Sequence, residues 1–132
     1  MDAKAIEKTF TSQLLKYSKE FEVPYRDVQV LIFKKEETNN IEFNLYIKGE
    51  FQRKLDIQKD ILNLQIDFLG KSFIANKFLD IILGAFASEL KCEENQISVQ
   101  IVARSNEDAT VCIALQKDYN FVRWVDISEF EF

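Results

Sequence analysis

Side chains able to do chemistry at neutral pH are scarce in this chain. No histidine occurs, which removes Ser/His and Cys/His nucleophilic sites, the commonest metal ligand, and the one side chain that titrates near neutrality unperturbed. Cys92 and Cys112 are the only thiols; without imidazole they cannot complete a four-ligand zinc site, and a pair in a chain of this length is no disulfide framework. Cys112 could serve as a nucleophile only beside a basic group that depresses its pKa, and as a small residue in an alternating segment it reads as packing. Carboxylates adjoin at Glu36/Glu37, Glu93/Glu94, Glu107/Asp108 and Glu129/Glu131. General acid-base work needs one of a pair held in a desolvating pocket, and the first three pairs fall in polar turns. Three glycines leave no phosphate-cradling loop or dinucleotide fingerprint. No catalytic residue, metal ligand or cofactor site is expected.

Charge narrows the partners. The net charge of −5 opposes non-specific affinity for nucleic acid or anionic lipid, both of which need a positive field. Lys34, Lys35, Tyr46, Lys48 and Lys54 interleave bases with an aromatic as single-strand binders do. Glu42, Asp56 and Asp67 would share the same sheet face and cancel that field, so a nucleic-acid role is disfavoured. Residues 1–35 carry seven Lys or Arg against five acids, whereas 105–132 carry six acids against two bases; solvated faces give such an asymmetry without any function. Two isolated cysteines suggest reduced, cytoplasmic thiols. The N-terminal residues show no secretory pattern, and Lys77 and Asp80 interrupt the most apolar stretch, so no membrane role is expected.

The elements that would position these groups follow from hydrophobic period. Ala3, Ile6, Phe10, Leu14, Tyr17 and Phe21 recur at three- and four-residue steps, predicting a helix N-capped by Asp2 and closed before Pro24. From Asp27 the period becomes two. Val28, Val30 and Ile32 oppose Leu31 and Phe33 in a strand apolar on both faces, hence central or part of an interface. Ile41, Phe43, Leu45 and Ile47 alternate with polar residues; Gly49-Glu50 offers a turn; Phe51, Leu55 and Ile57 form a third buried set; and Leu62, Leu64, Ile66 and Phe68 predict a fourth strand. The segment 71–91 then predicts a largely buried helix: Ile74, Phe78, Ile81, Ile82, Ala85 and Phe86 form its stripe, widened by Phe73, Leu79, Leu83 and Leu90. Ser72, Asn76, Asp80, Gly84 and Ser88 are its one polar line. Three more strands follow, with Ile97, Val99 and Ile101, then Val111, Ile113 and Leu115, then Phe121, Val125 and Ile127 facing inward.

The expected fold is one α+β domain over 1–132: a largely antiparallel sheet of about seven strands and two helices, in the order α-ββββ-α-βββ. Arg53-Lys54-Leu55-Asp56-Ile57 and Arg123-Trp124-Val125-Asp126-Ile127 echo each other as third strands after a helix, which suggests a weak internal duplication. In layout alone the rhythm is similar to sliding-clamp domains, the TATA-box-binding saddle and type III secretion chaperones; the acidic balance opposes the first two and the lack of a closing helix the third.

One contrast points to function. On the predicted outer face, the strands before the second helix place Glu42, Lys48, Lys54, Asp56 and Asp67. Those after it place Ser98, Gln100, Val102, Thr110, Cys112, Ala114, Gln116, Val122 and Trp124. Charge depletion around an aromatic anchor marks an interface core. Val102, Cys112, Ala114, Val122 and Trp124 are therefore the expected protein-interface residues of a non-catalytic binding domain. It would self-associate as a homodimer or dock a protein partner, in the manner of an adaptor, a chaperone-like protein or an inhibitor of the immunity type. The competing expectations are cover by the first helix or by Phe130 and Phe132, and a carrier or small enzyme with a pocket between helix and sheet.

Overall fold

The computed structural model describes residues 3–35, 37, 41–55 and 71–129, and the side chains of these apart from 3, 5, 6 and 71–80. Helix α1 spans Ala3–Phe21, and the three- and four-residue spacing of Phe10, Leu14 and Tyr17 puts all three in the core. It ends as the Val23 N–H bonds the Ser18 carbonyl (3.1 Å) and the Glu22 N–H bonds that of Lys19 (3.4 Å), with Glu22 at φ 54°. Two carbonyls that the last turn would orphan are thus satisfied by a left-handed residue just ahead of Pro24. A 3-10 turn at Tyr25–Asp27 leads into β1 (Val28–Lys34), β2 (Ile41–Ile47) and β3 (Glu50–Leu55).

Helix α2, Lys71–Leu90, stops in the same way: the Cys92 N–H bonds the Ala87 carbonyl (3.0 Å), the Lys91 N–H bonds that of Ser88 (3.3 Å), and Lys91 has φ 52°. A second 3-10 turn at Glu94–Gln96, closed by reciprocal Glu93 and Gln96 side-chain caps, precedes β4 (Ile97–Ala103), β5 (Val111–Lys117) and β6 (Asn120–Val125). A last 3-10 turn covers Ile127–Glu129.

These strands form one antiparallel six-stranded sheet in the order β3-β2-β1-β4-β5-β6. The order is a palindrome, because each half runs helix, 3-10 turn, three strands, and the halves join through their first strands. Val30 lies opposite Ile101 and Ile32 opposite Val99 at that seam. One core follows: Phe10, Leu14 and Tyr17 of α1 and Ile82, Leu83 and Phe86 of α2 pack with the inward residues of all six strands. The α1 Thr11 hydroxyl also accepts the Val111 N–H at 3.3 Å, tying the first helix to the second half.

The halves agree in detail. Lys48 and Gly49 have φ of 53° and 79° between β2 and β3, as Asp118 and Tyr119 have 50° and 65° between β5 and β6. The Lys48 N–H bonds the Asp27 carbonyl at 2.9 Å, and the Asp118 N–H that of Gln96 at 2.8 Å. Leu45 and Tyr46 face Arg53 and Phe51, leaving Gln52 as the extra residue of a bulge; Leu115 and Gln116 face Arg123 and Phe121, leaving Val122 likewise. Arg53 takes Glu20 of α1 through two hydrogen bonds (3.3 and 3.1 Å) with its guanidinium over Tyr17, and Arg123 takes Glu89 of α2 (3.3 and 2.8 Å) with its guanidinium over Phe86.

Several expectations are corrected. The described sheet has six strands rather than about seven, and the expected fourth strand at 61–68 lies outside the described residues. The expected echo reads Arg53 to Leu55 on β3 and Arg123 to Val125 on β6, but the second chain segment turns into a 3-10 helix at Ile127, which is buried there and not in a strand. The hairpin turn is Lys48-Gly49 rather than Gly49-Glu50, so Lys48 belongs to the turn and not to the sheet face. Phe51 and Phe121 are exposed instead of inward, because one extra residue in each bulge reverses side-chain parity. Along α2, Ile82, Leu83 and Phe86 are buried as expected, whereas Ala85 is exposed and Ile81 only half-buried, so the apolar stripe is narrower. The side chains of Ile74 and Phe78 lie outside the described residues.

Two measurements check this architecture. Phe86→Ala should cost about 3–5 kcal/mol in a urea melt, while Phe121→Ser should cost less than about 1 kcal/mol; a comparable loss at both would mean that β6 has no bulge. Gly49→Ala adds a Cβ that meets nothing within 4 Å, yet at φ 79° it should still lower stability. The left-handed conformation sets that cost at about 1 kcal/mol.

Candidate interaction face

The sheet surface away from the helices carries the residues of interest. On β1 it holds Gln29, Leu31 and Phe33; on β2 Glu42, Asn44 and Tyr46; on β4 Ser98, Gln100 and Val102; on β5 Cys112, Ala114 and Gln116. Strand β1 lies between β2 and β4, the central place expected of a strand apolar on both faces. Among the described residues no helix lies on this outer surface, since α1 and α2 both pack into the inner core.

The first half of the surface is charged and internally paired. Glu42 accepts a 2.6 Å bond from Lys54 and lies 4.0 Å from Lys35; the Lys54 bond, ahead of the nearby positive charge, holds its carboxyl below the ordinary range. Tyr46 meets Phe51 edge to face with centroids 5.8 Å apart. Lys34, by contrast, pairs with Glu94 at 3.2 Å. Of the five residues that suggested single-strand binding, Lys54 is tied to Glu42, Lys34 to Glu94, and Lys48 sits in the turn, so no continuous basic track joins them. Asp56 and Asp67 lie outside the described residues.

The second half is uncharged across its strands. Val102 faces Cys112 and Ala114 faces Trp124 in the ladders, and the Ser98 hydroxyl bonds Gln116 Oε1 at 2.9 Å. The five expected interface residues divide into two layers. Val102, Cys112 and Ala114 are buried, forming a floor of small side chains, whereas Val122 and Trp124 are 39% and 50% exposed. Phe121, 55% exposed, packs against Trp124 with ring centroids 5.4 Å apart.

A charged rim borders this patch, and sequence reasoning missed it. Arg26, from the 3-10 turn after α1, lays its guanidinium over the Trp124 ring at 5.1 Å and donates Nε–H to the Ala103 carbonyl at 2.8 Å. Arg104 pairs with Asp126. With Cys112, Val125 and Glu129 these residues and Trp124 line a cleft of about 250 Å³. Nothing in the local sequence links Arg26 to Trp124. EFQRKL and NFVRWV put Phe51 and Phe121 at the same place, but the bulge that turns both outward is not visible in either sequence.

Burial, offset by Arg104 and Arg26, pushes the Cys112 thiol above its ordinary pKa, which is the reverse of an activated nucleophile. Both cysteines are free. The adjoining carboxylates are structural where described: Glu93 caps a 3-10 turn, Glu94 pairs with Lys34, Asp108 accepts the Thr110 N–H at 3.0 Å, and Glu129 lies 3.5 Å from Arg123. The Thr110 bonds lower the Asp108 pKa, the reverse of the raised carboxyl that general acid work needs. Among the described residues no helix is long and apolar enough to cross a membrane.

No protein-family model matches the chain, and no curated protein or solved structure matches it either. The geometry therefore carries the functional argument alone.

Thiol chemistry tests the floor directly. With iodoacetamide at mildly alkaline pH, Cys112 should react about tenfold or more slowly in the folded chain than in urea, since its burial limits both access and thiolate. Equal rates in the two states would mean that the floor is open.

Proposed function

We propose that this chain is a non-catalytic protein-binding domain that self-associates or docks a protein partner through the outer face of its second half. The observation that carries this reading is the exposed cluster of Phe121, Val122 and Trp124 on the last strand, beside an uncharged floor of Val102, Cys112 and Ala114. Large apolar side chains grouped at a sheet margin lose little by desolvation, and an aromatic anchor ringed by charged groups is the usual composition of an interface centre. Arg26 contributes by holding one face of the indole in place before any partner arrives. That lowers the side-chain entropy lost on docking. An adaptor, a chaperone-like protein or an inhibitor of the immunity type would all use such a face. The proposal places the domain in the cytoplasm, where Cys92 and Cys112 stay reduced.

A second reading, a carrier of a small ligand, draws on the cleft beside Trp124, whose lining includes two guanidinium groups and an indole. It lies at the end of the sheet rather than between helix and sheet, and Arg104 is already engaged by Asp126. A mixed, open cleft of this size suits a partner's side chain better than an enclosed small molecule.

Trp124→Ala should weaken self-association or partner capture about tenfold or more, as loss of a central aromatic does, while the far-ultraviolet circular dichroism stays unchanged. Binding as tight as that of the unaltered protein would reject the face.

A further inference from the structure

The fold contains its own control for the last strand. β3 and β6 occupy the two ends of the sheet and are equivalent in bulge, hairpin turn and arginine clamp. Equivalent positions nonetheless carry different chemistry: Glu50, Gln52 and Lys54 on β3 stand where β6 has Asn120, Val122 and Trp124. An exposed edge presents a row of backbone N–H and C=O groups to any passing strand, and lysines or other charges on the edge are the usual protection against pairing. β3 has that protection, with Lys54 and Glu50 both exposed. β6 lacks it at each of the same places. Its single charge, Arg123, is neutralised within its own chain by Glu89 at 2.8 Å and Glu129 at 3.5 Å.

Resting on the reading of this face as a docking surface, we infer that its occupant is a second copy of the chain, added by antiparallel pairing of β6 with β6 across a two-fold axis. Two arguments select a second copy. With a net charge of −5 a second copy must approach where like charges do not meet, and the β6 strip can meet itself without opposing unpaired like charges. The sheet already performs the same operation internally, because β1 and β4, the first strands of the two halves, join antiparallel at its centre. Pairing β6 with its symmetry mate repeats that join and closes an edge that lacks the charges of β3 at the equivalent positions. It makes one continuous sheet with the charged β3 strands at its ends, which stops growth at two copies. Phe121 and Trp124 of each copy then lie beside the seam, over a shared outer face.

The test exchanges the two edges. Sedimentation velocity of the full chain across the micromolar range should show a monomer and dimer in equilibrium. Val122→Gln combined with Trp124→Lys, which gives β6 the β3 residues at two of these three places, should weaken the dimer about tenfold or more. Glu50→Asn, Gln52→Val and Lys54→Trp together, which strip β3 of its charged protection, should instead drive growth past the dimer into open-ended oligomers. Hydrogen exchange on the unaltered protein gives a readout independent of how well the variants fold: amides of 120–125 should become more protected as concentration rises. A strict monomer throughout, a dimer indifferent to the β6 exchange, or amide protection independent of concentration would each overturn self-pairing. If the chain proves monomeric yet a purified partner binds it and loses Trp124→Ala, the docking face stands and only its occupant is wrong; if Trp124→Ala changes neither, both fail.

Discussion

The seam between β1 and β4 is the constraint on which the rest of this structure depends. Each half alone is a helix and three strands, with both edges of its sheet open, and the join closes one of them. Pairing Val30 with Ile101 and Ile32 with Val99 fuses two such sheets into one and sets their inward residues on a common surface. Register is decisive there, since a slip by one residue would turn Val28, Val30 and Ile32 outward and put Gln29 in the core. The two helices then share a single apolar cluster. Burial of that continuous surface, rather than any polar interaction, supplies most of the stabilisation.

The arginine clamps are better understood as positioning devices than as sources of stability. Arg53 and Arg123 each form a two-point bond to a helix carboxylate, but at about 40% side-chain exposure such pairs are worth about 0–1 kcal/mol. What they add is direction. Each guanidinium also lies over a core aromatic, Tyr17 or Phe86, so it spans from an outer strand to the last turns of a helix. The bulge just before each arginine makes this possible, because the extra residue returns the chain to inward parity at Arg53 and Arg123 while leaving Phe51 and Phe121 outside. Clamp and exposed phenylalanine are therefore two results of one backbone irregularity.

That irregularity also marks where the sequence stops being legible. Hydrophobic period was enough for both helices and for the central strands, where Val99, Ile101, Ile113 and Leu115 are all buried as alternation requires. Their burial is set by local pattern and little else. It failed at Phe51 and Phe121, since a bulge leaves no mark in composition and strict alternation assigns both residues to the wrong side. The α2 stripe was read too wide because Ala85 fits an apolar pattern whether or not anything packs on it. Of the candidate face, the uncharged strand residues were visible by type. Arg26 was not, because its contact with Trp124 depends on the seam bringing a turn of the first half against the end of β4.

Near-repetition is useful here because its departures are localised. Caps, turns, bulges and clamps agree between the halves, so they report what folding requires of this unit. Differences in the core are conservative, as between Tyr17 and Phe86 beneath the two arginines. Differences on the outer surface are not: Glu42, bound to Lys54, stands in one half where Cys112 stands in the other, and Lys54 stands where Trp124 does. A solvated surface has no physical need to exchange Lys54 for an indole, and leaving Trp124 half exposed carries a risk of aggregation. The fold tolerates either set, as its own two halves demonstrate. The apolar set at one end is therefore not required by the fold, which is why the docking proposal rests on that end.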